Sequence, residues 1–380
     1  MHSSAGLYGA DLQLEAIVAG LDPERWRALC VLPERGELTD RIEQAGGEVC
    51  VHPLAVLQRA LFSPAGAARL SRAVARDRRE LGALARGHGV ALVHDNTSVV
   101  MSGRAVARQA EVPHLVHVRE IYAGAGGRMA SALWPLMRAR LLRADALACI
   151  SSAVARQFSG SSRARVIHDG LPRAPRALDR EEARAGFGIP PERPAVALVG
   201  RLSDWKGQDV LIHALAEIPL VERGAVALLA GDAAPGAGHL PLRLEMLAGR
   251  LGVAERVRWL GFRRDVDDVW AAADVVVVPS TRPEPLGLVA MEAAAAGLPV
   301  VASAHGGVAE VVRDGETGLL VPPGDASALA AAVRVLADDP ELAARMGEAG
   351  RRRVEERFGV ERMLAELQDL YDELTATEAG

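Results

Sequence analysis

Residues 195–210 read AVALVGRLSDWKGQDV, and this stretch decides the fold. Five apolar residues end at Gly200, a short polar loop follows, and a helical pattern starts near Gly207. A fully apolar strand feeding a helix through a short loop is the unit from which parallel sheets covered on both faces are built. Working outward, the same unit recurs along the whole chain. In the second half, strands are expected at 195–199, 225–230, 257–259, 274–278, 299–302 and 318–321. In the first half they are expected at 28–32, 48–52, 90–94, 114–118, 146–150 and 165–168. Helical patterns fall between them, and two more helices follow Pro340, at 341–356 and 360–375.

The run 170–194 is rich in Pro, Arg and Ala and has little strand character, so it reads as a connection with a short helix at 179–185. With 380 residues, two domains are the natural expectation. The boundaries are 1–172 for an N-terminal Rossmann-like domain, 173–357 for a C-terminal one, and 358–380 for a terminal helix.

Composition excludes several classes. A hydrophobic fraction of 49% with 24% charged residues describes a soluble globular chain with a large core. No apolar run reaches the roughly 20 residues that a bilayer span needs. The opening MHSSAGLYGAD lacks the basic and apolar regions of a secretory leader, and Cys30, Cys50 and Cys149 have no metal-ligand spacing. A cytoplasmic chain is expected, with no metal site. Aromatics at 3% leave no stacking platform for nucleic acid.

Net charge is −5, but unevenly spread: residues 1–172 carry +5 and the remainder −10. A basic half could face an anionic acceptor or the inner face of a membrane, or could simply be a solvated surface. The helix at 127–143, GRMASALWPLMRARLLR, carries Arg128, Arg138, Arg140 and Arg143. With the arginines of 69–86 it allows weak contact with an anionic membrane, although packing on a sheet explains it more plainly. Pro135 is expected to interrupt this helix.

Arginine occurs 43 times and lysine once, at Lys206. Where every other cation is a planar guanidinium, the single compact ammonium marks a place that needs a point charge. Lys206 and Arg201 lie in the loop at the carboxyl end of strand 195–199, where open α/β sheets bind ligands. Two cations there suit a pyrophosphate, whose charge grows as a bond to it breaks.

The second signal is 274–302, DVVVVPSTRPEPLGLVAMEAAAAGLPVVA. Pro283 and Pro285 hold an extended loop, and a helix should open at about Leu286 with free amides near Gly287 and Leu288. Such amides make an anion site. Glu284 in the loop and Glu292 two turns later are carboxylates suited to sugar hydroxyls. The acidic run DVDD at 265–268 is expected to form the exposed first turn of a helix rather than a metal motif.

Taken in order, GRLSDWKG, LLAGD at 228–232, RVRWLGF at 256–262, the E-x7-E pair with AGLPVVAS, and GGVAEVVRDGETGLLVPPGD at 306–325 resemble the retaining glycosyltransferases of family four, glycosyl transferases group 1. The resemblance extends over nearly the whole chain. It implies a GT-B fold: two Rossmann-like doubly wound domains facing across a cleft, with the C-terminal helix crossing back. It implies that Arg201 and Lys206 bind the diphosphate of a nucleoside diphosphate sugar and that Glu292 holds its ribose. Glu284 would meet hydroxyls of the transferred sugar, the Gly287 and Leu288 amides a phosphate, and Gly261 and Phe262 the base. In the first half, SSAGLYGADLQL resembles the family's glycine-rich loop, with Gly9 nearest the donor. His117, in VHVRE, matches the histidine that faces the reacting sugar, with Arg119 and Glu120 following it. His94 and Asn96 are weaker candidates of the same kind.

The implied activity is transfer of a sugar, with retained configuration and without metal or resident cofactor. The acceptor would be a sugar, a lipid-linked molecule or a small molecule, in glycan, glycolipid or secondary-metabolite synthesis. Two other readings stay open: a GT-B sugar-nucleotide epimerase and a non-catalytic nucleotide-sugar-binding protein. One departure from the pattern is expected to matter. Relatives begin with a buried strand just before the glycine-rich loop, and here Met1 falls almost where that strand should end.

Overall fold

A computed structural model describes residues 1–7, 9–57, 63–122, 128–233 and 237–376. Tyr8 of the glycine-rich loop and Gly127 of the arginine-rich helix lie outside the described residues. The chain forms two compact units: Met1–Pro172 with Gly359–Gly380, and Arg173–Phe358.

In chain order the first unit contains α1 (Gly9–Gly20), β1 (Leu29–Leu32), α2 (Glu37–Gln44), β2 (Glu48–Val51), α3 (Pro64–Gly87) and β3 (Val93–Asp95). It continues with α4 (Gly103–Ala110), β4 (His114–Val118), α5 (Arg128–Leu141), β5 (Ala146–Cys149), α6 (Ser152–Ala155) and β6 (Ala164–Val166). Strands β3, β4, β5 and β6 form a parallel sheet in that order, and β1 and β2 pair in parallel beside it. Backbone at the start of the chain links the two groups. The His2 amide donates to the Val31 carbonyl at 3.0 Å, and the Asn96 amide donates to that of Met1 at 2.9 Å.

Alternation along β4 sends Leu115 and His117 to one face and His114 and Val116 to the other. On the first face, Leu115, Ala146 and Ala148 pack against Ile17 of α1 and against the last helix, α16 (Val360–Ala376). That helix returns to the first unit because Met363, Leu364, Leu367, Leu370 and Tyr371 recur at helical spacing and bury one stripe. Each such side chain is worth about 1.5–3 kcal/mol when removed from water. On the second face, Val93 packs with Leu81 of α3 and with Val106 and Ala107 of α4.

The second unit contains α7 (Arg180–Gly186), β7 (Ala195–Val199), α8 (Gln208–Ala216), α9 (Ile218–Arg223), β8 (Val226–Ala230), α10 (His239–Arg250) and β9 (Val257–Gly261). Then come α11 (Asp267–Ala272), β10 (Val275–Val278), α12 (Leu288–Ala295), β11 (Val300–Ser303), α13 (Val308–Val311), β12 (Gly318–Val321), α14 (Ala326–Asp338) and α15 (Pro340–Arg357). Its six strands are all parallel, in the order β12-β11-β10-β7-β8-β9. This is the doubly wound Rossmann order, and the winding reverses between β7 and β10. A crevice opens outside the carboxyl ends of the two strands at such a point. Their centres, AVALV and VVVV, are fully apolar because helices cover both faces.

Four local expectations are corrected. Helix α5 runs through Pro135, which is exposed. Proline deletes one backbone donor, and the turn beyond it is held by Arg138 Nε on the Gln157 carbonyl at 3.0 Å and Arg140 Nη1 on that of Ser98 at 3.0 Å. Helix α4 starts at Gly103, although the helical pattern of the sequence runs over 98–110, because Ser98 is spent on part-buried contacts with Glu120 and Tyr122. The first turn of α11 is not an exposed acidic one. Asp267 is 1% exposed and takes Arg173 Nη1 at 3.0 Å and Arg176 Nε at 2.7 Å. Helix α12 opens at Leu288 rather than Leu286, since Gly287 is its left-handed cap at φ 101°.

Candidate active site

The loop after β7 and the loop after β10 are neighbours because their strands pair. Gly207 makes their approach tight. It sits at φ 79°, and a Cβ there would stand 2.1 Å from the Pro279 carbonyl oxygen, so the helix start and the β10 end meet backbone to backbone. The Thr281 amide also donates to the Trp205 carbonyl at 2.7 Å. Between these clamps the side chains of Lys206 and Glu284 meet, 78 residues apart in sequence, with Nζ 2.7 Å from Oε1. Lys206 Nζ also lies 4.6 Å from the centre of the Trp205 ring. Ser280 Oγ donates to the same Glu284 oxygen at 2.5 Å.

Glu284 is 4% exposed, and its backbone is held from the far side. Its carbonyl accepts the Gly307 amide at 2.6 Å, and a Cβ on Gly307 would stand 2.1 Å from the Pro285 oxygen. His305 Nε2 reaches the Ser280 carbonyl at 2.8 Å. The pair His305–Gly307 and Ser280 thus position the carboxylate, and motif reading did not single them out as site residues. The paired glycines within HGGV were the available signal. An ammonium has three donors, so Lys206 keeps two after bonding Glu284.

Arg201 follows Gly200 directly at the end of β7 and is exposed, and its carbonyl accepts Gln208 Nε2 at 3.1 Å. Gly287 and Leu288 open α12, and no side chain caps that helix. Glu292 lies one turn further in. Burial pushes its carboxyl up to about 7, against the opposing pull of Arg173. No described residue hydrogen-bonds it. Gly261 ends β9 at φ 62°, its carbonyl accepts the Gly231 amide at 2.7 Å, and Phe262 beyond it is 52% exposed. Among the described residues, no group of three or more His, Cys, Asp or Glu could hold a metal ion.

The first unit holds a second polar constellation, made differently. Gly9 is the first residue of α1. Two residues on, buried Asp11 takes His2 Nε2 at 2.6 Å, and Asn96 Nδ2 reaches His2 Nδ1 at 3.0 Å. Arg119 joins the rest: Nη1 donates to Asp169, Nε to the Asn96 carbonyl at 3.1 Å and Nη2 to Asn96 Oδ1 at 3.1 Å. Its Nη2 also reaches His117 Nδ1 at 3.4 Å. His117 is 0% exposed, and its ring stacks on that of His94 at 5.5 Å. Burial, with the Arg119 charge second, holds its pKa well below the usual histidine range, so the ring is neutral. With Nδ1 accepting from Arg119, the proton sits on Nε2, which finds no partner; Asp169 Oδ1 is 3.8 Å away. His94 Nδ1 is taken by the Tyr371 hydroxyl at 2.8 Å. Glu120 is bonded by Ser98 Oγ, and burial raises its carboxyl above the ordinary value.

Residues 179–353 match the model of the family described as glycosyl transferases group 1. The match lies within the second unit, Arg173–Phe358. The chain is 40% identical over 205 residues to D-inositol 3-phosphate glycosyltransferase of Corynebacterium efficiens, covering 52% of this chain and 47% of that protein. It spans about half the length of the curated relatives it matches. HepE of Anabaena, solved in complex with UDP and glucose, superposes with a TM-score of 0.82 at 28% identity over 98% of this chain and 99% of that one. Sucrose-phosphate synthase of Thermosynechococcus elongatus gives 0.76 at 27% identity over 99% and 95%. The two Rossmann-like units are those of the GT-B class.

Proposed function

We propose that the protein is a retaining glycosyltransferase that moves a hexose or related sugar from a nucleoside diphosphate sugar to an acceptor hydroxyl. The observation that carries this is the meeting of Lys206 and Glu284 at the point where the second sheet reverses its winding, beside the uncapped start of α12. A leaving diphosphate gains charge as the glycosidic bond breaks. Lys206, Arg201 and the amides at Gly287 and Leu288 are the groups to neutralise it, which makes a metal unnecessary. Glu284 would share its carboxylate between Lys206 and hydroxyls of the sugar. Glu292, half-buried and hydrogen-bonded through its carboxyl by no described residue, would take the ribose hydroxyls, and exposed Phe262 would lie against the base. Neutral His117 would offer its unpartnered Nε2–H to a hydroxyl of the sugar, and Gly9 its backbone amide at the start of α1.

HepE is complexed with UDP and glucose, so UDP and UDP-glucose are the first ligands to try. The curated relatives' names put D-inositol 3-phosphate among the acceptors to test, beside sugars and lipid-linked molecules. No described helix is long and apolar enough to cross a membrane. The proposed setting is the cytoplasm, with at most peripheral contact with its membrane.

The experiment is a thermal-shift titration with UDP, followed by a transfer assay with and without EDTA. UDP should raise the melting temperature, Lys206→Ala should abolish that rise, and EDTA should leave transfer intact. A nucleotide sugar that changes without an acceptor would make the chain an epimerase; binding with no turnover on any donor would make it a binding protein.

A further inference from the structure

The first unit carries a basic cavity that the sugar-transfer reading does not use. It is a half-open hollow of about 540 Å³ on the face of the sheet away from His117. Its wall holds Arg78, Arg104, Arg108, Arg140 and Arg143, contributed by three helical regions, together with His114 at the start of β4. No Asp or Glu lines it. Ligand cavities in proteins run from about 300 to 1,000 Å³.

The arginines are poorly neutralised. Arg104 approaches Asp145 at 3.6 Å, and that is the nearest carboxylate to any of the five among the described residues. Arg140 spends two nitrogens on the Ser98 and Val100 carbonyls, and Arg78 Nε donates to Gln109 at 3.0 Å. Arg108 and Arg143 are exposed, and the side chain of neither bonds a described residue. Arg104 and Arg108 are one turn apart on a helix of eight residues, a like-charge spacing that costs helix stability. Five guanidinium groups around one hollow repel each other unless an anion sits among them.

The cavity wall also holds a buried histidine. His114 is 3% exposed, and its Nε2 is bound to Asp95 at 2.9 Å. Its Nδ1 is buried without a partner.

We infer that this cavity binds a small ligand bearing at least two phosphate groups. The guanidinium fork matches phosphate oxygens two at a time, so several arginines converge best on more than one phosphate. A membrane surface fits less well, because the arginines converge on a half-open hollow rather than lying along one flat face.

The test is calorimetric titration of the full chain with inorganic pyrophosphate at low salt, since screening weakens such contacts. Three proteins are compared: wild type, Lys206→Ala to remove competing anion binding in the second unit, and Arg108→Gln/Arg143→Gln. Neither of those two side chains bonds a described residue, so the double variant should keep the wild-type circular dichroism and melting temperature. Pyrophosphate should still bind the Lys206→Ala protein, and the double variant should lose affinity by about tenfold or more. Loss of all binding in Lys206→Ala overturns the inference, as does full affinity in the double variant. Vesicles of phosphatidylglycerol that pull down wild type but not the double variant, without pyrophosphate binding, would overturn it in favour of a membrane.

Discussion

The two units solve the same problem, placing polar groups at the ends of parallel strands, by opposite means. In the second, few charges are buried, and the geometry comes from backbone: Gly207 against Pro279, Gly307 against Pro285, and one ammonium–carboxylate pair between them. In the first, the geometry comes from side chains. His2, Asp11, Asn96, His117, Arg119 and Asp169 are all buried and hold one another through hydrogen bonds. A backbone-built site keeps its shape when one side chain changes. A network of buried charges does not, because each member left alone carries its full desolvation cost.

The largest expected effect tests that contrast directly. Arg119→Leu strands the Asp169 carboxylate and should cost about 3–5 kcal/mol in urea unfolding. Lys206→Ala should cost less, because Lys206 is 24% exposed and Ser280 Oγ still donates to the buried Glu284 carboxylate. Equal costs would end the distinction. Next, Glu284→Ala should lower transfer about a hundredfold, or roughly 2.7 kcal/mol, while UDP still shifts the melting temperature. Gly307→Ala should be intermediate, losing about 1–3 kcal/mol of stability as the new methyl pushes on Pro285. Activity should drop with it, although no charge has changed.

The smallest effects are in pH, and they have opposite signs. Burial keeps His94 and His117 neutral in the folded protein, so below 6.5 only the unfolded chain takes up those protons and stability falls with acid. Glu292 runs the other way. Its carboxyl, raised from 4.5 to about 7, holds a proton that the unfolded chain releases, so stability falls as pH climbs through that window and is level above it. In pH-dependent melts, His117→Asn should flatten the acid limb and Glu292→Gln the limb between 4.5 and 7. Binding of ribose hydroxyls by Glu292 would favour its ionised form, so UDP should release protons near pH 6, read as buffer-dependent heats.

Most strands and helices were legible, because apolar period and turn residues are local signals. Ile218–Arg223 escaped notice, since its six residues with proline at the start carry too little periodicity. Of the site, Lys206 and Glu284 were readable from a solitary lysine and a Pro-Glu-Pro loop. Ser280 and His305 were not, because a serine or histidine at a strand end carries no mark of what lies opposite. The burial of Asp267 was misread for the same reason: its partners, Arg173 and Arg176, are more than 90 residues away.

What the chain's order of residues determined alone was the alternation of apolar strands and helices, the glycines that permit left-handed turns, and the single place for an ammonium. Those depend on neighbours a few positions away. Strand order was decided in three dimensions: only pairing β7 with β10 brings Lys206 to Glu284. The Arg119 network and the arginine-lined cavity likewise exist only once distant segments share one buried, low-dielectric space.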